Sequence, residues 1–330
     1  MSHDSLVSWV PRLAGPAVVV LGDVFLDEYL VGQATRLSRE APVPVLELTR
    51  RVYLPGGAAN PARNVAALGG HARQVGLVGA DPAGEQLRAL LREAHIDDAA
   101  VAADPARATT VKTRVVAEGS LRFPQQVARI DQVDRRAVDD ATQTRLIEAL
   151  ARAAPGAQAL LVSDYKAGVV SDRLVAACRD LAATHGLFLA VDSQGDLYKF
   201  RGFHLVRANQ RDTEATLGRA LTSEDDFQRA GADLLRDLGA RAVLIGRGAD
   251  GMSLSEPGAY HHLPAVNRTE VYDVTGAGDT VAAVGTLAVA AGASFLEAAH
   301  LANYAAGLVV RKLGNAVPTP GELLWAIEHW

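Results

Sequence analysis

"ALLVSDYKAGVVSDRLVAACRDLAATHGLFLAVDS", residues 159–193, holds a strand, a turn, a helix and a second strand in one uninterrupted run. ALLVSDY (159–165) is nearly continuously apolar before its polar end, as a strand buried on both faces requires. DRLVAACRDLAATHG (172–186) has helical spacing and stops at a glycine, and LFLAVDS (187–193) returns to strand. The same alternation continues outward. AVVVLGD (17–23), ARQVGLVG (72–79), FHLVRAN (203–209) and RAVLIG (241–246) are strand-like. ANPARNVAALGG (59–70, closed by Gly69), AGEQLRALLREAH (83–95) and DDFQRAGADLLRDLG (225–239) are helical. Strands alternating with helices predict an α/β fold with a mainly parallel sheet covered on both faces. Two segments, 28–57 and 107–131, carry strand-like pieces without a helical pattern. They are expected to form a small second sheet, a lid. With no repeat or low-complexity linker, residues 1–330 are expected to form a single domain carrying it.

Composition narrows the function. At 49% hydrophobic and 22% charged residues the chain is an ordinary globular protein. A formal net charge of −5 argues against a general nucleic-acid or anionic-membrane binder, though not against a local basic pocket for one phosphate. The single cysteine, Cys178, lies in an apolar helical run and is expected to be buried packing. With no disulfide possible and no signal-like start, a cytoplasmic location is expected. The longest apolar run, near TVAAVGTLAVAAGA, is too short for a confident membrane span.

Several familiar patterns lead nowhere. Gly246, Gly248 and Gly251 in IGRGADG form a formal G-x-G-x-x-G. A strand-like segment follows instead of the helix that a dinucleotide site needs, so a tight turn between strands is expected. Gly248 and Gly251 remain candidates for contact with a nucleotide. P-loop, protein-kinase and serine-hydrolase signatures are absent, and the nine histidines show no metal spacing.

VYDVTGAGDT (271–280) is different, because small residues and an acid sit at the mouth of an apolar helix. Gly276, Ala277 and Gly278 let backbone approach a ligand closely, and a helix starting near Gly278 aims free N–H groups at it. Asp279 at the edge of such an anion site can take a proton from an attacking hydroxyl, as phosphoryl transfer to an alcohol requires. The helix N-terminus is expected to keep it ionised. A capped helix after a glycine turn explains this stretch equally well when it is taken alone. Other stretches favour the site. Asp23 and Asp27 in GDVFLDEY follow the first strand at its C-terminal end, where open α/β sheets bind ligands, and carboxylates there suit sugar hydroxyls. Gly56, Gly57 and Asn60 in PGGAANPARN again place small residues and an amide at a helix start.

Together these stretches, with TRLSREAPVPV and SDYKAGVV, resemble the ribokinase-like carbohydrate kinases over about residues 17 to 318. TRLSREAPVPV is similar to a segment of the D-glycero-β-D-manno-heptose-7-phosphate kinase branch. The resemblance implies a three-layer α/β/α fold with a small β lid. It implies ATP-dependent phosphorylation of that heptose 7-phosphate to the 1,7-bisphosphate, or of another sugar or sugar phosphate. It implies Asp279 as base, Gly276–Gly278 as anion hole, and Asp23, Asp27, Gly56, Gly57 and Asn60 as sugar ligands. Asn209 and Asp164 would lie near the ATP phosphates or their Mg2+, and Asn303 near the adenine. Asp273, Thr275 and Gly314 match the neighbourhood of a monovalent cation such as K+. The resemblance further implies a homodimer through the lid strands. No adenylyltransferase half, as fused to some heptose kinases, follows the kinase pattern, so a monofunctional form is expected.

A sugar already carrying a phosphate brings about two negative charges. Lys112 and Arg114 in TVKTRVV, Arg129 in QQVARID and Arg63 are the candidate cations for them. The chain departs from the heptose branch in two places. Asp192-Ser193-Gln194-Gly195 replaces Asp-Pro-Lys-Gly, and Asn209-Gln-Arg-Asp212 replaces Asn-x-x-Glu. Asp212 could still organise Mg2+ through water.

Overall fold

Strand β1 (Ala17–Gly22) is buried along its whole length and sits at the heart of the larger sheet. Its side chains divide between two cores. Val18 and Val20 join one cluster, and Val19 and Leu21 join the other. That division is the period-2 alternation of a strand covered on both faces. The computed structural model describes residues 3–119, 124–267, 271, 273–312 and 314–330. Positions 120–123 of the expected lid segment lie outside them.

The chain begins with α1 (His3–Trp9) and β1. Two long strands, β2 (Val24–Leu37) and β3 (Pro44–Gly57), come next, followed by α2 (Ala59–Ala67), β4 (His71–Gly79), α3 (Pro82–Glu93) and β5 (Asp97–Asp104). β6 (Val111–Glu118) and β7 (Gln125–Gln132) precede α4 (Asp140–Ala153), β8 (Ala159–Asp164), α5 (Asp172–His185) and β9 (Phe188–Ser193). Then come β10 (Leu205–Asn209), α6 (Gln210–Leu217), α7 (Glu224–Leu238), β11 (Ala242–Gly246), β12 (Met252–Glu256) and β13 (Ala259–Leu263). Three helices close the described chain: α8 (Ala277–Ala290), α9 (Phe295–Val309) and α10 (Pro320–His329).

Nine strands form the main sheet in the order β13-β12-β11-β10-β9-β8-β1-β4-β5. It is parallel from β5 to β11, and β12 and β13 close one edge as an antiparallel hairpin. Helices α2, α3, α8 and α9 pack on one face, and α4, α5 and α7 on the other. The three-layer α/β/α architecture expected from the sequence is therefore the observed one. Local signals fit it too. Ser171 caps α5 by accepting the Leu174 N–H, and Gly186 ends the helix at φ 68°. Such a serine cap is worth about 1 kcal/mol. Cys178 is buried in the α5 core, and burial pushes its thiol up to about 12.

The lid is a second sheet, ordered β3-β2-β6-β7. β2 pairs antiparallel with β3 and parallel with β6, and β6 pairs antiparallel with β7. It begins earlier than the sequence pattern suggests, at Val24, directly beyond Asp23. β7 is exposed along its whole length, which makes it the most lightly held strand of the lid.

Candidate active site

The main sheet has its switch point between β1 and β8, where the chain turns from one side of the sheet to the other. Open parallel sheets leave a crevice there, beyond the carboxyl ends of the strands. A cavity of about 340 Å³ opens at this end. Its floor comes from Asp164, Tyr165, Asp192, Arg207 and Asn209, at or just past the ends of β8, β9 and β10. The lid contributes Asp27, Gly57, Lys112, Arg114 and Arg129. The third wall is Thr275, Gly276, Gly278 and Asp279 at the start of α8.

α8 is apolar all round and buried from Asp279 to Ala288, so it runs through the protein instead of along its surface. Gly276 precedes it at φ 79°, a conformation that strongly favours glycine. A Cβ there would also meet the Asn60 amide at 2.6 Å. The turn therefore delivers Asp279 to the cavity wall on a rigid support. Its Oδ2 accepts the Asn60 Nδ2–H at 2.9 Å, and its Oδ1 accepts the Tyr165 hydroxyl at 2.5 Å. Burial, followed by the nearby Asp192 charge, pushes the Asp279 carboxyl up to about 7. The two hydrogen bonds and Arg207 oppose that rise. This corrects the expectation that the helix N-terminus keeps Asp279 ionised: desolvation outweighs the dipole, and the group titrates near neutrality. Burial and the Asp279 charge beside it raise Tyr165 well above the usual tyrosine range, so Tyr165 is the proton donor in their bond.

Asp27 is buried but faces the cavity. It accepts from Arg114 Nη1 at 2.6 Å and, through a short bond, from the Asn315 amide. A Cβ on Gly56 would run into its carboxylate at 2.1 Å, so glycine there makes room for the acid. Both oxygens keep lone pairs for further donors such as hydroxyls. Arg114 and Arg129 stand opposite each other on β6 and β7, and Lys112 lies two residues along β6. The Lys112 ammonium rests 4.1 Å from the Phe25 ring centroid, and burial lowers its pKa. Arg129 is paired with Asp131 at 2.9 Å. Three cations thus line the lid side of the cavity.

Several expected ligands are turned elsewhere. Asp23 accepts the backbone N–H groups of Tyr165, Ala167 and Val169 at 3.0 to 3.1 Å, and it is almost wholly buried. It clamps the segment after β8 across the switch point and does not face the cavity. Asn60 supports Asp279 from behind and is not a lining residue. Arg63 donates to the Asn315 carbonyl at 2.7 Å and holds that loop. Asp164 lines the cavity, but its carboxylate is engaged by Lys199 at 2.6 Å and by the Lys166 N–H. Asn209 caps α6 by accepting the Asp212 N–H, which directs its amide nitrogen away from that bond. Asp212 lines the cavity, and burial raises its pKa. Asn303 donates to the Pro264 carbonyl at 2.7 Å, outside the cavity. Gly248 and Gly251 also lie outside it, in the turn from β11 to β12; a Cβ on Gly251 would strike the Leu263 carbonyl oxygen at 2.1 Å. Asp273 accepts from the backbone of Thr275 and of Gly314, each at 2.9 Å, and so brings these three residues together beside the cavity.

Tyr165, Arg207 and Asn315 are cavity residues that the sequence reading did not single out, and Asp192 entered it only within a departure from the heptose branch. Arg207 left a trace: FHLVRAN places a charge inside an otherwise apolar strand. Tyr165 and Asn315 left none, because their partners lie far away along the chain.

A sequence profile described as pfkB family carbohydrate kinase matches residues 17–321. The chain is 42% identical over 326 residues to the "Bifunctional protein HldE" of Caulobacter vibrioides, covering 97% of this chain and 65% of that protein. It is 38% identical to the protein of that name from Paramagnetospirillum magneticum, covering 99% of this chain and 66% of the relative. It thus spans just under two thirds of the length of these relatives. Among solved structures, phosphofructokinase-2 from Escherichia coli in complex with potassium superposes with a TM-score of 0.78 at 22% identity. That match covers 96% of this chain and 99% of the other. Arabidopsis thaliana ribokinase complexed with ribose and ATP superposes at 0.73 with 19% identity, covering 96% and 100%. At such identities the structural likeness concerns the fold, which is ribokinase-like.

Proposed function

The chain belongs to the pfkB family of carbohydrate kinases, and from that premise we propose that it transfers the γ-phosphoryl group of ATP to a sugar phosphate. The acceptor in this reading is D-glycero-β-D-manno-heptose 7-phosphate, and the product is the 1,7-bisphosphate. The observation that carries it is the pairing of Asp279, seated at the glycine turn, with the cations Lys112, Arg114 and Arg129 on the opposite, lid side of the cavity. One end of that space suits a reacting hydroxyl and the other a phosphate already on the sugar. The acceptor hydroxyl bonds to the γ-phosphorus as the bond to the β–γ bridging oxygen breaks. ADP leaves with that electron pair, and the hydroxyl proton passes to Asp279. Gly276, Ala277 and Gly278 supply the positive end of α8, and Asp27 orients sugar hydroxyls.

Mg2+, when bound with the nucleotide, would offset the negative charge of its phosphates. Among the described residues no group of three or more acids, histidines or cysteines could hold a metal. Asp212, with water, is the side chain best placed to steady a phosphate-bound ion, since Asp164 is already paired with Lys199. The convergence of Thr275 and Gly314 on Asp273 supports a seat for K+, the ion bound by the phosphofructokinase-2 neighbour. Asn303, Gly248 and Gly251 fit the nucleotide site only as supports for the surrounding loops. We read the chain as one kinase domain with its lid, acting in the cytoplasm; among the described residues no helix is long and apolar enough to cross a membrane. Exposed Leu48, Val127 and Ile130 on the lid strands support pairing of two copies through their lids.

The departures at Gln194 and Asp212 favour a second reading, in which the same machinery serves another sugar or sugar phosphate. A panel of plain sugars, hexose phosphates and heptose 7-phosphate, assayed for ADP release with ATP and Mg2+, separates the two. Turnover confined to heptose 7-phosphate supports the first reading. Turnover on another sugar or sugar phosphate supports the second, and no ADP release with any acceptor would sink both.

A further inference from the structure

Arg207 stands in the middle of β10, in the cavity floor between Asp192 and the start of α8. Its side chain is 15% exposed. A cation so deeply placed is costly unless every donor is used. Here they are not. Nη1 donates to Asp192 Oδ1 at 2.8 Å, while among the described residues neither the buried Nε nor Nη2 has a hydrogen-bond partner. A counter-ion for Asp192 alone would not need the planar five-donor fork of arginine.

The surroundings are built around this group. A Cβ on Gly278 would lie 2.6 and 2.7 Å from Nη1 and Nη2, so the guanidinium presses against the anion turn itself. On the other side, a Cβ on Gly246 would lie 3.1 Å from Nη2. Glycines from two separate elements thus leave space for one side chain. The local charge also asks for it: Asp192 and Asp279 share this end of the cavity, and both would repel a polyphosphate. Gln194, beside them, supplies no charge.

We propose that Arg207 is a catalytic residue whose unpaired Nη2 binds the phosphoryl group in flight, at the Gly276–Gly278 turn, while Asp192 holds Nη1 in place. This rests on the phosphoryl-transfer reading above. As the γ-phosphorus exchanges its bridging oxygen for the acceptor oxygen, charge spreads over its three equatorial oxygens. Arg207 donates to those oxygens and gains or loses no proton. The charge that Gln194 does not bring from the loop after β9 comes from the neighbouring strand.

The test compares affinities of the full chain, by calorimetry with Mg2+, for ADP alone and for ADP with aluminium fluoride, a mimic of the planar phosphoryl group. In the parent protein the fluoride complex is expected to bind much more tightly than ADP. Arg207→Gln is expected to cut that preference by about 100-fold or more. Its affinity for ADP alone should change by less than about threefold. Arg207→Lys keeps charge but not the fork and should fall between the two. An undiminished preference in Arg207→Gln overturns the proposal. So does recovery of the preference in Asp192→Asn/Arg207→Gln, because Arg207 would then serve only to neutralise Asp192. That double variant removes both charges and keeps the test open should the single variant fold poorly. A parent protein that does not bind ADP overturns the kinase reading and this proposal with it, whereas a binding parent and an unaffected variant overturn this proposal alone.

Discussion

Ionisation of Asp279 controls when the proposed base can act. A carboxyl at about 7 is a competent acceptor only above that pH, so kcat/KM should fall on the acid side with an apparent pKa near 7. The Tyr165 hydroxyl bond favours the ionised form, and Tyr165→Phe should therefore move that acid limb to higher pH. Asp279→Asn should lower kcat by about 10³-fold with little change in sugar affinity, measured by steady-state kinetics beside binding titrations. An unchanged rate removes Asp279 from the role of base. The same group carries a stability signature of definite sign. Its carboxyl is raised in the folded state, so the stability it contributes is present below 3.8 and is lost as pH climbs to about 7. Asp279→Asn escapes that loss. Its melting temperature should gain on the parent's progressively between those two values and hold a constant lead above them.

At the scale of elements, the lid strands and α8 divide the labour. β6 and β7 bring the cations, and α8 brings the proposed base and its turn. Lys112→Ala and Arg129→Ala should each raise KM for a phosphorylated acceptor by about 10-fold and leave KM for ATP nearly unchanged. An equal effect on a plain sugar would refute a phosphate-binding role. The elements also show what sequence can disclose. β1, β8 and α5 were legible because burial on both faces, or on one helical stripe, writes a periodic pattern. β5 was not: DDAAVAAD has little β-branched character, and pairing with β4 overrides its weak propensity. The Gly276–Gly278 turn and Asp279 were legible because their residue types are unusual at the mouth of an apolar helix. Asp23 was legible as an important acid but not as a clamp, since the three N–H groups it accepts lie more than 140 positions away. Arg207 showed only as a charge inside an apolar strand, and its role stayed unread because its setting is assembled by β9, β11 and α8.

For the whole molecule, the question is what the lid does when two copies meet. Ile130 is 63% exposed, on the strand face opposite Arg129, and so points away from the cavity. Light scattering should report a dimer, and Ile130→Lys should shift the population toward monomer with the ATP site intact. A monomer at all concentrations would refute pairing through the lid. The lid is anchored to the main sheet at a narrow root. β2 leaves directly after Asp23, and Ala58, one residue past the end of β3, donates its N–H to the Asp23 carbonyl at 2.9 Å. The Asp23 carboxylate meanwhile grips the backbone that carries Tyr165. One residue is thus both a fulcrum at the root of the lid and the mount on which Tyr165, the partner of Asp279, is fixed. A lid swinging over an arriving sugar would load that fulcrum without displacing it, so the proton acceptor can stay aimed while the roof above it moves.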